Sequence, residues 1–329
     1  MDGRFQAARV ISERPTADGI ALILMDKSEA AISNVKPGTP QRVIQQFDDV
    51  QREMDSLRLE LNLLHRRDDT INFYMNRLDE ELRLAARLQR DFLPKSLPQL
   101  GDVRFHTLFR PAGYVSGDMY DVMRLDEQHV AFYIADAVGH GMPAALLTMF
   151  LKHALATKEI YGGGYRLLKP SESMARLNEA LVEQNLAHAT FATALYGMIN
   201  VKTLELTMAC AGHPMPALLP ADGPMKNLPT TGGLLGIFPG ETYTDFTTQL
   251  SPGDRVVLYT DGMDVAFGDD PTTCNPERWR QELFDRRSLP TAALLSDFSE
   301  CADKESGSLQ PKDDLTIVVV EVGGVAENV

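Results

Sequence analysis

The chain has 329 residues, 44% hydrophobic and 24% charged, a balance that can bury a sizeable core in one large domain or two smaller ones. A formal charge of −14 excludes the basic footprint that sequence-independent nucleic-acid binding needs, and offers no attraction to an anionic membrane surface. Three cysteines, Cys210, Cys274 and Cys301, stand far apart in no CxxC spacing. They read as small apolar fillers in a reduced, cytoplasmic compartment. The longest early apolar run, 20–25, is too short for a signal-peptide core or a membrane span.

Residues 1–42 form an N-terminal segment of unknown role, in which 8–11 and 20–25 could pair as a short hairpin across 15–19. A helix over 43–93 follows. Its apolar positions run from Phe47 and Val50 through Leu61 and Leu64 to Leu82 and Ala85, alternately three and four residues apart, with Asp68 the one polar interruption. A strict 3.5-residue period predicts a left-handed coiled coil and a parallel homodimer, in which Glu53 and Arg58 could pair across chains. About 45 residues at roughly 1.5 Å each make a rod of about 65–70 Å. Pro94 ends the helix, and 94–102 is the linker.

From 103 to 323 the pattern is that of a folded α+β domain, followed by a short tail, 324–329. Strands are predicted at 103–109, 120–125, 130–135, 191–200, 204–211, 215–219, 241–249, 255–260 and 315–321. Helices are predicted at 143–156 and 171–186, the latter capped by Ser171 or Ser173, and across 275–305. Runs of strands and helices, rather than strict alternation, indicate layered sheets.

Acidic residues recur at strand ends beside glycine. Asp118 and Asp121 lie in Ser-Gly-Asp-Met-Tyr-Asp, Asp136 ends the strand 130–135, Asp261 follows Leu-Tyr-Thr, and Asp313-Asp314 precedes the last strand. Each alone reads as a turn or cap. Together, with few histidines and no cysteine cluster, they suit hard divalent cations rather than zinc.

Five motifs in order carry a resemblance: Val115-Ser-Gly-Asp-Met-Tyr-Asp-Val122, Ala135-Asp-Ala-Val-Gly-His-Gly141, Ala211-Gly-His-Pro-Met-Pro216, Tyr259-Thr-Asp-Gly-Met263 and Asp313-Asp-Leu-Thr316. The set resembles the metal-dependent serine/threonine phosphatases of the protein phosphatase 2C class, in the bacterial branch that includes SpoIIE and RsbU. The entry Leu88-Gln-Arg-Asp-Phe-Leu-Pro94 is also typical of that branch. The resemblance implies a four-layer αββα sandwich and two Mn²⁺ or Mg²⁺ ions. Asp118 and Asp136 would hold or bridge the ions with the Ala137 backbone carbonyl, and Asp261 and Asp313 would complete the shell. Asp121, Asp314, Gly117, Gly139, His140 and Gly262 are supporting or substrate-contact candidates. Two ions about 3.5–4 Å apart would activate a shared water to attack phosphorus in line. The resemblance further implies a phosphorylated protein substrate, an anti-sigma-factor antagonist of STAS-like fold in a partner-switching pathway.

His140 lies four residues after Asp136, where eukaryotic relatives carry histidine at the second; a structural role suits it and His213 better than proton donation. Arg110 is read as either a phosphate contact or a sheet-edge residue. Two positions depart from the pattern: Ala137 stands for glycine, and Val265, after Asp264, for a common glutamate. A competing reading is a catalytically weak dimeric scaffold of the same fold. A nucleotide-switch reading of Asp136-Ala-Val-Gly139 fails for want of a GxxxxGK[ST] loop.

Overall fold

The computed structural model describes residues 15–16, 19–20, 39–186, 190–267, 276–305 and 313–323. The chain divides into two compact units, 1–76 and 77–329. In the first, β1 (Pro15–Thr16) pairs with β2 (Gly19–Ile20), so residues expected to be the turn are themselves the paired ones. The rest of the expected hairpin, 8–11 and 21–25, lies outside the described residues, as does the tail 324–329. One helix, α1 (Thr39–Phe92), spans 54 residues and crosses the unit boundary. Along its predicted seam, Val50, Leu57, Leu61, Leu64, Ile71 and Leu78 are each more than half exposed in the single chain. Within the single chain Arg58 reaches Asp55 at 3.9 Å, and Asp68 accepts from Asn72 Nδ2.

The second unit continues with β3 (Val103–Arg110), β4 (Asp118–Arg124), β5 (His129–Ala137) and α2 (Met142–Ala154). A hairpin of β6 (Lys158–Tyr161) and β7 (Gly164–Leu167) leads to α3 (Pro170–Glu183). Next come β8 (Ala192–Asn200), β9 (Glu205–Ala211), β10 (Ala217–Leu219), β11 (Lys226–Asn227), β12 (Phe246–Gln249) and β13 (Arg255–Tyr259). The chain closes with α4 (Gly262–Phe267), α5 (Pro276–Asp285), α6 (Thr291–Glu305) and β14 (Leu315–Val322). The β6–β7 hairpin was not expected. Its signal is the Gly162-Gly163 loop, where both residues take positive φ, 48° and 94°, as a two-residue hairpin turn favours. Neither Ser171 nor Ser173 caps α3. Pro170 begins it, the Glu172 side chain accepts from the Lys169 N–H, and Ser171 binds Asp245.

Two five-stranded sheets, ordered β11-β10-β13-β14-β3 and β12-β9-β8-β5-β4, are antiparallel throughout. The two-residue period of a strand sorts the side chains. Phe132, Ile134, Leu195, Leu258, Val318 and Val320 belong to one core between the sheets. Tyr133, Ala135 and Tyr196 face the other way and pack with α2 and α3. Val257, Tyr259 and Val319 pack with the helices after β13, around Trp279 and Phe298. The result is helices, sheet, sheet, helices, as the resemblance implies. Among the described residues no helix is long and apolar enough to cross a membrane.

Gly197 shows how tight the central layer is: a Cβ there would meet the Phe132 ring at 2.3 Å. Gly197→Ala is expected to cost about 1–3 kcal/mol by overpacking, read as a lower denaturation midpoint. An unchanged midpoint would place Phe132 elsewhere.

Candidate metal centre

The inner-face parity that builds the core also builds the site. One step beyond the apolar rows at one end of the sandwich, the same faces carry Asp118, Asp136, Thr193, Thr260 and Thr316. Asp118 and Asp136 stand directly opposite one another in the β4–β5 ladder, and Asp136 faces Thr193 in the β5–β8 ladder. Directly opposed residues place their Cβ atoms about 4.5–5.5 Å apart on one face, so the two carboxylates are neighbours by register alone.

Asp118 is 1% exposed. Its Oδ2 accepts from Thr260 Oγ1 at 2.8 Å and Thr316 Oγ1 at 2.6 Å, both on the opposite sheet, which leaves Oδ1 for an ion. Burial, and then the charge of Asp136, drive its carboxyl well above the usual range, against the pull of the two hydroxyls. Asp136 is pushed up to about 7 by burial first, then by Asp261, Asp313 and Asp314. Asp261 and Asp313, exposed at the rim, are raised by desolvation too. Asp313 and Asp261 feel further carboxylates, and His140 eases the charge on Asp313. Gly262 permits this closeness, because a Cβ there would lie 1.9 Å from the Asp314 carbonyl oxygen.

Asp314 accepts from the Ala112 N–H on one oxygen and the Gly117 N–H on the other, each at 2.6 Å, and so ties down the segment that delivers Asp118. Gly117 lies so close to the β5–α2 turn that its Cβ would stand 3.3 Å from the carbonyl oxygens of Ala137 and Gly139. That turn needs Gly139 and Gly141 at φ 89° and 75°, and it leaves His140 exposed. A groove of about 630 Å³ opens beside it, lined in part by Tyr114, His140, Met142, Asp313 and Asp314.

Several expected residues sit elsewhere. Asp121 is three residues from Asp118, an odd step, so it faces away from the inter-sheet layer and pairs with Lys152 of α2 at 3.0 Å. Asp264 accepts from the Trp279 indole at 2.9 Å. Arg110 donates to the Ser299 carbonyl at 2.5 Å. Thr260, Thr316 and Thr193 were not singled out in the sequence, although continuing the strand period by two residues reaches each of them.

His213 is 5% exposed and binds Thr193 Oγ1 through Nδ1 at 2.8 Å. Its Nε2 is buried and makes no hydrogen bond of good geometry. Burial holds its pKa down to about 3, so the ring is neutral.

The donors fit hard divalent ions. They are carboxylate and carbonyl oxygens, and the dominant neighbours raising Asp136 are other carboxylates, a repulsion that a bound cation relieves. As the side chains stand, no group of three His, Cys, Asp or Glu among the described residues closes on one point. Asp118 and Asp136 are held by the ladder, while Asp261 and Asp313 are at the rim.

Comparison with known proteins agrees with this architecture. The SiaA-PP2C domain of Pseudomonas aeruginosa superposes with a TM-score of 0.64 at 23% identity, over 75% of this chain and 98% of that one. The fold is therefore that of the PP2C-type phosphatase domains. A family model for Stage II sporulation protein E (SpoIIE) matches residues 126–323. The chain belongs to the SpoIIE family of PP2C-type serine/threonine phosphatases. It is 27% identical to phosphoserine phosphatase RsbU of Bacillus subtilis over 296 residues, 88% of this chain and 83% of that one. It is 32% identical to phosphoserine phosphatase RsbP of the same organism over 188 residues, 56% of this chain and 45% of that one.

Two outcomes test the assignments. Because Asp121 faces away from the site, Asp121→Asn should lower the unfolding midpoint while leaving activity per folded molecule within about threefold; loss of catalysis in the folded variant would return it to the site. For His213 the unfolded imidazole binds protons as pH falls through about 6.5 and the folded one does not, so its contribution to stability is complete from about pH 7.5 upward. It falls by about 2 kcal/mol on going to pH 5. In His213→Gln the fall in stability between about pH 7.5 and 5 should shrink by that amount, and an unchanged fall would contradict a buried neutral ring.

Proposed function

We propose that the protein is a metal-dependent phosphoserine/phosphothreonine protein phosphatase that hydrolyses its substrate by direct attack of water. The observation that carries this reading is the acidic layer at the sandwich end, where Asp118 and Asp136 are opposed in register and Asp136 is loaded by Asp261, Asp313 and Asp314. Asp118, Asp136 and the Ala137 carbonyl would hold two divalent ions, Mn²⁺ or Mg²⁺, and Asp261 and Asp313 would complete the set. Bound there, such ions supply an activated water and neutralise phosphoryl charge. The chain's own part is positional. The β4–β5 ladder fixes one carboxylate pair, Thr260 and Thr316 fix which oxygen of Asp118 is free, and Gly262 brings the Asp261 turn against the Asp313–Asp314 segment.

The groove beside Tyr114 and His140 is open and wide enough for a phosphorylated side chain on a protein surface. The relatives RsbU and RsbP, named as phosphoserine phosphatases, support a phosphoserine substrate. A phosphorylated anti-sigma-factor antagonist in the cytoplasm is the substrate this reading favours.

The wet seam of α1 supports a parallel homodimer through residues 43–93. A helix of this length keeps a seam of large apolar side chains in water only at a cost that a second copy removes.

Two measurements check the reading. Mn²⁺-dependent hydrolysis of a phosphoserine peptide and of an aryl phosphate is expected, with Asp136→Ala at least about 100-fold slower. Inactivity with Mn²⁺, or wild-type rates in Asp136→Ala, would leave only a scaffold. Sedimentation of the full chain should give a dimer that Leu57→Asp with Leu61→Asp and Leu64→Asp converts to monomer; a monomeric wild type would dismiss the coiled-coil dimer.

A further inference from the structure

The last turns of α1, residues 77–92, belong to the same compact unit as the sheets and grip the segment that leads into Asp118. Ala86 packs with Val115 and Ala145 in a small buried cluster. Three residues on, Gln89 is 2% exposed, an unusual place for a long polar side chain unless its amide is fully used. It is. Nε2 donates to the Ser116 carbonyl at 2.7 Å, and Oε1 accepts from the Ser116 N–H at 2.9 Å. A side chain here makes the two bonds that a neighbouring strand would make.

From Ser116 the bonding passes straight into the acidic layer. Ser116 Oγ accepts from the Asp118 N–H at 3.0 Å, and the Gly117 N–H donates to Asp314 Oδ2 at 2.6 Å. The Gly117 carbonyl accepts from the Ala137 N–H at 3.0 Å. The two residues before Asp118 are thus held from one side by α1 and from the other by Asp314 and Ala137. Higher on the helix, Asp79 accepts from the Tyr114 hydroxyl and pairs with Arg83, a second hold on the same segment.

We propose that Gln89 is a positioning residue that couples the seating of α1 to the metal centre. It touches neither substrate nor ion; it fixes where Ser116 lies, and Ser116 fixes where Asp118 lies relative to Asp136 and the Ala137 carbonyl. Sliding α1 by a single residue, about 1.5 Å, would carry the amide out of reach of both Ser116 groups. Metal affinity therefore depends on the two Gln89–Ser116 bonds, made by the last turns of α1 within the same unit as the sheets. The inference rests on the phosphatase reading of the same site.

The test compares full-length wild type, Gln89→Met and Gln89→Asn. Gln89→Met keeps the length and removes the amide; Gln89→Asn keeps an amide but withdraws it by one methylene. Mn²⁺ affinity is measured by calorimetry on metal-free protein, with circular dichroism as the check on folding and amide hydrogen exchange read over 113–118. Expected are a loss of about tenfold or more in Mn²⁺ affinity in both variants, the range for residues that orient a ligand from behind, and faster exchange confined to 113–118. Hydrolysis should fall at limiting Mn²⁺ and recover in part at saturating Mn²⁺. Wild-type Mn²⁺ affinity in a folded variant overturns the coupling, and so does a loss of affinity accompanied by faster exchange throughout the sheets. Should Gln89→Met fail to fold, Gln89→Asn decides alone. If wild type itself neither binds Mn²⁺ nor hydrolyses phosphoserine, the phosphatase reading fails first, an outcome distinct from a normal Gln89 variant beside an active wild type.

Discussion

A carboxylate buried between two sheets is the constraint on which the rest of this domain turns. Removing an ionised group from water costs several kcal/mol unless partners replace the lost hydration. Asp118 has two such partners, Thr260 and Thr316, and both come from the opposite sheet. The bonds do two things together: they join the sheets at the end where the apolar core stops, and they commit one oxygen of the carboxylate. Thr260 Oγ1 also accepts from the Thr316 N–H at 3.0 Å, so β13 and β14 are locked in the same layer. With Asp136 opposite Asp118, negative charge accumulates at this end beyond what the two hydroxyls offset. Divalent cations are the natural complement.

The sequence carried much of this, because strand parity is a strong code. Alternation from Val130 to Ala135 places Asp136 on the inner face, and the spacing from Asp118 to Tyr120 and Val122 does the same on β4. The same rule, applied one residue further, separates Asp118 from Asp121, which share a motif but not a face. What stayed hidden was long-range. Thr260 and Thr316 are ordinary strand residues until two sheets face each other. The β6–β7 hairpin is short and exposed, with no apolar alternation to announce it. Gln89 sits in a helix whose most regular signal is a seam of another purpose, so composition could not single it out. Ser171 and Ser173 failed as caps because Asp245, remote in sequence, claims Ser171, and Ser173 is buried.

Helix α1 carries two different surfaces along its length. Its seam residues, such as Leu57 and Leu64, recur alternately three and four residues apart and are exposed in the single chain. Near its end the buried positions are Ala86 and Gln89, small or polar, suited to close approach against the 113–117 segment rather than to a coiled-coil hole.

The proposed function makes this acidic layer a two-ion site built around Asp118. Calorimetric titration of the metal-free full-length protein with Mn²⁺ tests it most directly. Two ions per chain are expected in wild type, with loss of high-affinity binding in a folded Asp118→Asn. Absence of Mn²⁺ binding in wild type, or the same stoichiometry and affinity in Asp118→Asn, would contradict it.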